Sequence, residues 1–120
     1  MINTVIVDTN IILRHFLDKD LKLVNLIDSG SSIYITFPIV FETVYMMEKY
    51  YKISRAEVYE KIMALLSLSE VELEDRNIIQ VLNKYRAHKQ LSLADCYLLT
   101  LSDNTGYDLI TYDRKLEKHK

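Results

Sequence analysis

The chain has 120 residues, of which 49% are hydrophobic and 27% are charged, and its formal net charge is −2. This composition is typical of one globular domain over residues 1–120 and excludes a disordered chain, while the charge favours neither the presence nor the absence of a nucleic-acid partner. The single cysteine, Cys96, excludes an internal disulfide, and the lack of a signal-peptide pattern or of an apolar run of about 18 residues predicts a cytoplasmic protein without a membrane span.

The first predicted element is a strand that ends at a carboxylate. Val5, Ile6 and Val7 form an apolar run without polar alternation, which predicts a buried strand of a parallel sheet. Asp8 follows directly, and ligands of open α/β sheets bind outside the carboxyl ends of the strands. Asp8 is therefore a candidate metal ligand, although an aspartate in this place could also simply cap the next helix.

Strand and helix patterns alternate along the rest of the chain. Pro38 is tolerated in a helix only within the first turn, so it marks the start of a helix that carries Glu42 one turn later. Strands that alternate with helices predict a largely parallel sheet with helices on both faces. The predicted strands are 5–7, 33–36, 71–73 and 109–111, and the predicted helices are 10–17, 21–27, 38–51, 54–66, 76–89, capped by Asp75, and 92–105, stopped by Gly106.

Carboxylates gather at one predicted edge of this sheet. Asp8 follows the first strand, Glu42 lies in the first turns of the helix after the second strand, and Asp113 follows the last strand. Asp95 joins them if its helix begins at the same edge. Such a group repels itself unless a cation neutralises it, and oxygen ligands without histidine or cysteine favour Mg²⁺ or Mn²⁺. A site of this kind suits hydrolysis of a phosphodiester bond.

Each of these acids also has a structural interpretation. Asp95 stands three residues after Ser92, which is the spacing of a capping box, and Asp113 could lie in a surface turn. Glu42 is harder to explain in this way. It lies on an otherwise apolar helix face, where an unpaired buried carboxylate would be costly.

The histidines are not expected to bind a metal ion, and the cysteine is not expected to be a nucleophile. The three histidines have no metal-ligand spacing and lie far apart in the sequence, so we expect them to be surface or partly buried side chains. They are His15, His88 and His119. Cys96 lies on an apolar helix and is expected to be a core thiol.

Together, these motifs resemble those of PIN domains, and most closely the VapC-type toxins of bacterial and archaeal toxin–antitoxin pairs. The matching motifs are Val-Asp-Thr-Asn at 7–10, Glu42 in the helix after Pro38, Ser-Leu-Ala-Asp at 92–95 and Thr-Tyr-Asp at 111–113. The resemblance implies a single three-layer α/β/α domain with a central, mainly parallel sheet. It also implies a Mg²⁺- or Mn²⁺-dependent ribonuclease that is often a homodimer and is held inactive by a cognate antitoxin. The implied metal-binding and catalytic residues are Asp8, Glu42, Asp95 and Asp113, with Thr9, Asn10 and Thr111 in supporting positions.

The C-terminus departs from the pattern of this family. The chain stops seven residues after Asp113, whereas many relatives continue into a further short strand. An open sheet edge invites pairing, so we expect association with a second copy or with an antitoxin.

Two other functions remain open at this point. One is a PIN-like binding module with little catalysis that acts by assembling with a protein partner. The other is a small metal-dependent phosphatase or receiver-type domain. That class would require Asp-x-Asp or paired acids at the first strand and a lysine on a late strand. In this sequence Asp8 is followed by Thr9 and Asn10. The last predicted strand leads into Asp113 without a lysine.

Overall fold

The computed structural model describes residues 3–120 and contains two compact units. The first unit ends at Asp75 and the second is Arg76–Lys120. The first unit is built on a three-stranded parallel sheet with the strand order β1-β2-β3, in which Val5 lies opposite Ile33 and Ile33 lies opposite Val71. The strands are β1 (Thr4–Ile6), β2 (Ser32–Ile35) and β3 (Val71–Leu73). The predicted α/β architecture with a parallel sheet is confirmed.

Helices connect the parallel strands of the first unit. Pro38 lies in the first turn of its helix, where the N–H that proline lacks would have no helical partner in any case. The first helix packs against the second and third, the second contacts β2, and the fourth contacts β3. The helices are α1 (Thr9–Leu17), α2 (Lys22–Asp28), α3 (Phe37–Tyr45) with a π-helical continuation (Met46–Tyr50), and α4 (Arg55–Leu66).

The hydrophobic core of the first unit is centred on β2. Ile33 and Ile35 are almost fully buried, while Ser32 and Tyr34, which alternate with them, are only partly buried. Burial of one such aliphatic side chain contributes about 1.5–3 kcal/mol. The helices add further buried side chains, which are Ile12, Leu13, Leu23, Val40, Val44, Met47, Val58, Ile62, Leu65 and Leu66.

β1 differs from the predicted buried strand. It pairs only with β2 and so forms an edge of the described sheet, and Ile6 is 75% exposed. Val7, just past the strand, is buried. The prediction of a buried strand was wrong here, because an apolar run indicates β propensity without showing which faces other elements will cover.

The second unit is helical in its described structure. α5 packs against α6, and α6 ends at Gly106, whose φ of +75° is the left-handed conformation that glycine adopts at little cost. Cys96 is fully buried, as predicted for a core thiol. The helices are α5 (Ile78–Ala87), α6 (Leu93–Thr105) and α7 (Arg114–Glu117).

The predicted fourth strand at 109–111 is not found among residues 3–120. This segment belongs to no sheet, and Ile110 is 85% exposed. A β-strand exists only where a neighbouring strand completes its hydrogen bonds, and β-branched composition does not reveal whether that neighbour is present. Asp113 therefore begins α7 instead of ending a strand.

Candidate active site

A small pocket of about 140 Å³ lies at the carboxyl end of β1. It is lined by Asp8, Thr9, Asn10, Ile39 and Glu42. The first three residues follow β1 and begin α1, whereas Ile39 and Glu42 lie three residues apart on α3 and therefore share one side of that helix. The packing of α1 against α3 brings the two groups together. Two of the four predicted carboxylates thus share one pocket.

Asp8 has a structural role that uses one of its two carboxylate oxygens. It is the N-cap of α1, and its Oδ1 accepts a hydrogen bond of 3.1 Å from the backbone N–H of Ile11. Its Oδ2 accepts no hydrogen bond from the residues that the structure describes. The capping interpretation is therefore correct, and it leaves one oxygen, held in a fixed orientation, for a ligand.

Glu42 has no such structural role. Within residues 3–120, its carboxylate makes neither a hydrogen bond nor an ion pair. The expectation that Glu42 is buried was wrong, because the side chain is exposed at the pocket. The fold therefore does not require this carboxylate, and both of its oxygens are accessible to a ligand.

Thr9 adds a buried, unpartnered hydroxyl to the residues that line the pocket. The residue is only 6% exposed, and its Oγ1 is buried with no hydrogen-bond partner in the part of the chain that the structure describes. A buried hydroxyl without a partner costs about 1–3 kcal/mol. Thr9 lines the pocket together with Asp8 and Glu42, but its Oγ1 has almost no accessible surface, so a ligand in the pocket reaches this oxygen only when the side chains around it move.

The side chains of the pocket fit a hard divalent cation. Asp8, Glu42, Thr9 and Asn10 all offer oxygen atoms, and none of the lining residues is a histidine or a cysteine. Mg²⁺ keeps several waters and is usually bound through only one or two carboxylates. Across residues 3–120, no group of three or more histidine, cysteine, aspartate and glutamate side chains is placed to hold a metal ion. The fit is therefore to two protein carboxylates, with water completing the coordination.

Asp95 and Asp113 lie in the second unit, each at the N-terminus of a helix. Asp95 forms a complete capping box, in which its Oδ2 accepts the N–H of Ser92 at 3.0 Å and its own N–H donates to Ser92 Oγ at 3.1 Å. Asp113 Oδ1 accepts the N–H groups of Lys115 at 2.8 Å and Leu116 at 3.3 Å. As in Asp8, the second oxygen of each carboxylate accepts no hydrogen bond from the described residues.

Thr111, predicted to support Asp113, contacts it directly. Its Oγ1 accepts a hydrogen bond of 3.0 Å from the backbone N–H of Asp113, which holds the start of α7 in place. The structure thus places Asp8 and Glu42 in one pocket and accounts locally for Asp95 and Asp113. The metal-binding and catalytic roles of all four residues, and their convergence, stay predictions.

Sequence reasoning missed two residues that shape the pocket. Glu74 directly follows β3, and its Oε1 accepts a hydrogen bond of 2.9 Å from the N–H of Phe37, the first residue of α3. Glu74 thereby helps to position the helix that carries Glu42. Ile39 lines the pocket itself. The available signals were the place of Glu74 at the end of a strand and the three-residue spacing of Ile39 from Glu42.

Comparison with known proteins identifies the family. Residues 5–120 match the PIN domain family. The chain belongs to the PIN domain family. PIN domains are generally nucleases that act on RNA or DNA and typically use divalent metal ions. No curated protein and no solved structure matches the chain significantly.

None of the helices formed by residues 3–120 combines the length and the apolar character that crossing a bilayer requires.

Proposed function

We propose that this PIN domain is a Mg²⁺- or Mn²⁺-dependent endoribonuclease, the toxin of a VapBC-type toxin–antitoxin pair. The observation that carries the proposal is the pocket in which Asp8 and Glu42 lie beside the unpartnered hydroxyl of Thr9. In a member of a family of nucleases, an oxygen-lined pocket with two carboxylates is the natural place for a divalent ion.

The residues of the pocket would have different roles. Asp8, through Oδ2, and Glu42 would hold the ion, and the bond from Ile11 fixes the orientation of the Asp8 carboxylate. When bound, a divalent ion supplies a Lewis acid that polarises the phosphodiester and lowers the pKa of a coordinated water. The Thr9 hydroxyl would orient a water molecule at the base of the pocket. Asp95 and Asp113 are the two remaining carboxylates to which we assign metal-binding and catalytic roles.

Water is the proposed nucleophile. The residues that line the pocket include no serine, cysteine or histidine, so they hold no nucleophile paired with a neighbouring imidazole base. Hydrolysis by water would leave a 5′-phosphate and a 3′-hydroxyl on single-stranded or loop RNA.

An antitoxin or a second copy of the chain is the proposed protein partner. Tyr45 on α3, Tyr50 at the end of its π-helical continuation and Tyr51 directly after it are 58%, 69% and 45% exposed. Aromatic side chains are enriched at protein interfaces, where they supply much of the binding energy. Their exposure in this chain supports assembly through this helix.

A binding module with little catalysis is the second candidate function. It is favoured by one observation, namely that no group of three or more potential metal ligands is found among residues 3–120. The two candidates differ in whether purified protein cleaves RNA in the absence of any partner.

RNA cleavage by matched aspartate variants tests the proposal. Asp8→Asn keeps an oxygen that can cap α1 but removes the charge, so it should abolish cleavage in Mn²⁺ without unfolding the protein. Asp20→Asn is the control, because Asp20 Oδ1 caps the N–H of Lys22 at 2.8 Å and is not one of the residues that line the pocket. Activity that persists in EDTA, or wild-type activity in Asp8→Asn, would contradict the proposal.

A further inference from the structure

Two histidines that the proposed nuclease site does not use are in contact within the second unit. The ring centroids of His88 and His119 lie 4.7 Å apart, and the ring planes meet at 70°. His88 follows α5 as its C-cap, and His119 follows α7. The two residues are thus far apart in the sequence but in contact in the structure, and both are partly buried as expected.

We propose that His88 and His119 together bind a transition-metal ion of the Zn²⁺ class, as a site separate from the oxygen ligands of the proposed nuclease centre. Imidazole nitrogen is a preferred ligand of Zn²⁺, Cu²⁺ and Ni²⁺, whereas Mg²⁺ prefers oxygen. Two protein ligands and water would complete the coordination of the ion.

The distance between the rings suits a shared ion. A metal bonded to one nitrogen of each ring at about 2.1 Å, with a near-tetrahedral angle between the bonds, holds the two ring centroids about 5 Å apart. The observed separation of 4.7 Å is close to this distance, and a shared ion also requires that a nitrogen of each ring points toward it.

The hydrogen bonding of His119 prepares it for metal binding. Its Nδ1 lies 2.8 Å from the backbone oxygen of Lys115. A carbonyl oxygen can only accept, so Nδ1 carries the proton and Nε2 of the neutral ring holds the lone pair. Histidines that bind metals commonly donate their other N–H to a carbonyl in this way. His88 takes part in a further interaction, and a metal bound at its ring would coexist with that interaction or displace it.

The surroundings of His88 allow a hydrated ion to approach. His88 lines an open groove of about 410 Å³ between α5 and α6, together with polar side chains that include Lys84 and Asp103. Lys84 Nζ lies 3.2 Å from Asp103 Oδ2, and this ion pair offsets the repulsion that the ammonium group would exert on a cation.

A bound ion would connect α7 to the end of α5. α7 has four residues, and a helix this short is not stable by itself in water. Its N-cap is Asp113, so an ion shared by the two histidines would also hold that carboxylate in place. Binding of a Zn²⁺-class ion at this site would thus order the C-terminal segment that contains α7.

Thermal unfolding with Zn²⁺ tests this inference without reference to nuclease activity. At a Zn²⁺ concentration about tenfold above Kd, we expect Tm to rise by about 3–6 °C in the wild type. The same rise in Tm is expected in the control His15→Phe. His88→Phe and His119→Phe keep an aromatic ring but lose the nitrogen ligand, so Zn²⁺ should not raise their Tm. Equal stabilisation of all four proteins, or none in the wild type, would overturn the inference.

A titration of the wild type followed by NMR provides a measurement that does not depend on the folding of the variants. Zn²⁺ should shift or broaden the imidazole signals of His88 and His119 and leave those of His15 unchanged. Signals that respond to Zn²⁺ only at His15, or at no histidine, would equally contradict a shared site.

Discussion

The pocket of the first unit and the helix N-termini of the second unit use their carboxylates differently. Asp95 and Asp113 each accept backbone N–H groups that would otherwise be unsatisfied, so the fold alone gives a reason for both residues. In the pocket, Asp8 does the same with one oxygen, but Glu42 accepts no hydrogen bond from the described residues, and the hydroxyl of Thr9 is buried beside it.

This difference shows which residues are evidence for a ligand. A capping aspartate is expected at a helix N-terminus whether or not it has a function. A buried hydroxyl without a partner, such as that of Thr9, has no such explanation from the fold, and the exposed Glu42 carboxylate is evidence through its place in the same pocket. Glu42 and Thr9 therefore support a metal site more strongly than Asp95 and Asp113 do, and substitutions should separate the two groups.

After the complete loss expected in Asp8→Asn, the largest expected effect is the loss of activity in Glu42→Gln. No hydrogen bond of the described protein is lost, so Tm should stay within about 1 °C of the wild type while the rate of RNA cleavage falls at least about 100-fold. Glu60→Gln, an exposed glutamate on α4, is the matched control and should keep its activity. A Glu42→Gln variant that cleaves RNA like the wild type would remove Glu42 from the site.

Thr9→Val should have a smaller effect than Glu42→Gln. Its effect is a gain in the free energy of unfolding. Valine has the shape of threonine without the hydroxyl, so the metal-free protein should become more stable by about 1–2 kcal/mol. Mn²⁺ binding should weaken in the same variant. Urea unfolding with EDTA and with Mn²⁺ measures both effects, and destabilisation of the metal-free variant would show that the Thr9 hydroxyl already has a partner.

The smallest expected effect concerns the caps of the second unit. Asp113→Ala removes the acceptor of two N–H groups and should cost about 1 kcal/mol, whereas Asp113→Asn keeps an acceptor and should cost less than about half of that. Urea unfolding of the two variants measures the difference. If they are equally stable, capping is not the structural role of Asp113, and the contrast between the two units fails.

Much of the fold was predictable because its signals are local. Pro38 in the first turn of α3, Gly106 at the end of α6 and the capping box of Ser92 and Asp95 are each determined by a few neighbouring residues. The first two strands of the sheet were also predicted from their apolar, β-branched runs, and 71–73 was predicted as a short strand.

The errors concern features that depend on distant parts of the chain. Whether 109–111 becomes a strand depends on a neighbouring strand, and whether Ile6 is buried depends on what covers β1. The contact between His88 and His119 depends on how α5 and α7 pack, which no spacing in the sequence reveals.

The site was predictable only in part for the same reason. Asp8 and Glu42 could be selected because each follows a strand in a recognisable motif. The contribution of Glu74 depends on a hydrogen bond to Phe37, far away in the sequence, and the missing partner of Thr9 becomes visible only when the atoms around it are known.

The central claim is that the pocket lined by Asp8 and Glu42 binds the divalent ion. The most direct measurement is a Mn²⁺ titration, followed by electron paramagnetic resonance, of the wild type, Glu42→Gln and the control Glu60→Gln. We predict that Mn²⁺ affinity falls at least about tenfold in Glu42→Gln and is unchanged in Glu60→Gln. Equal Mn²⁺ affinity in the wild type and Glu42→Gln would contradict the claim.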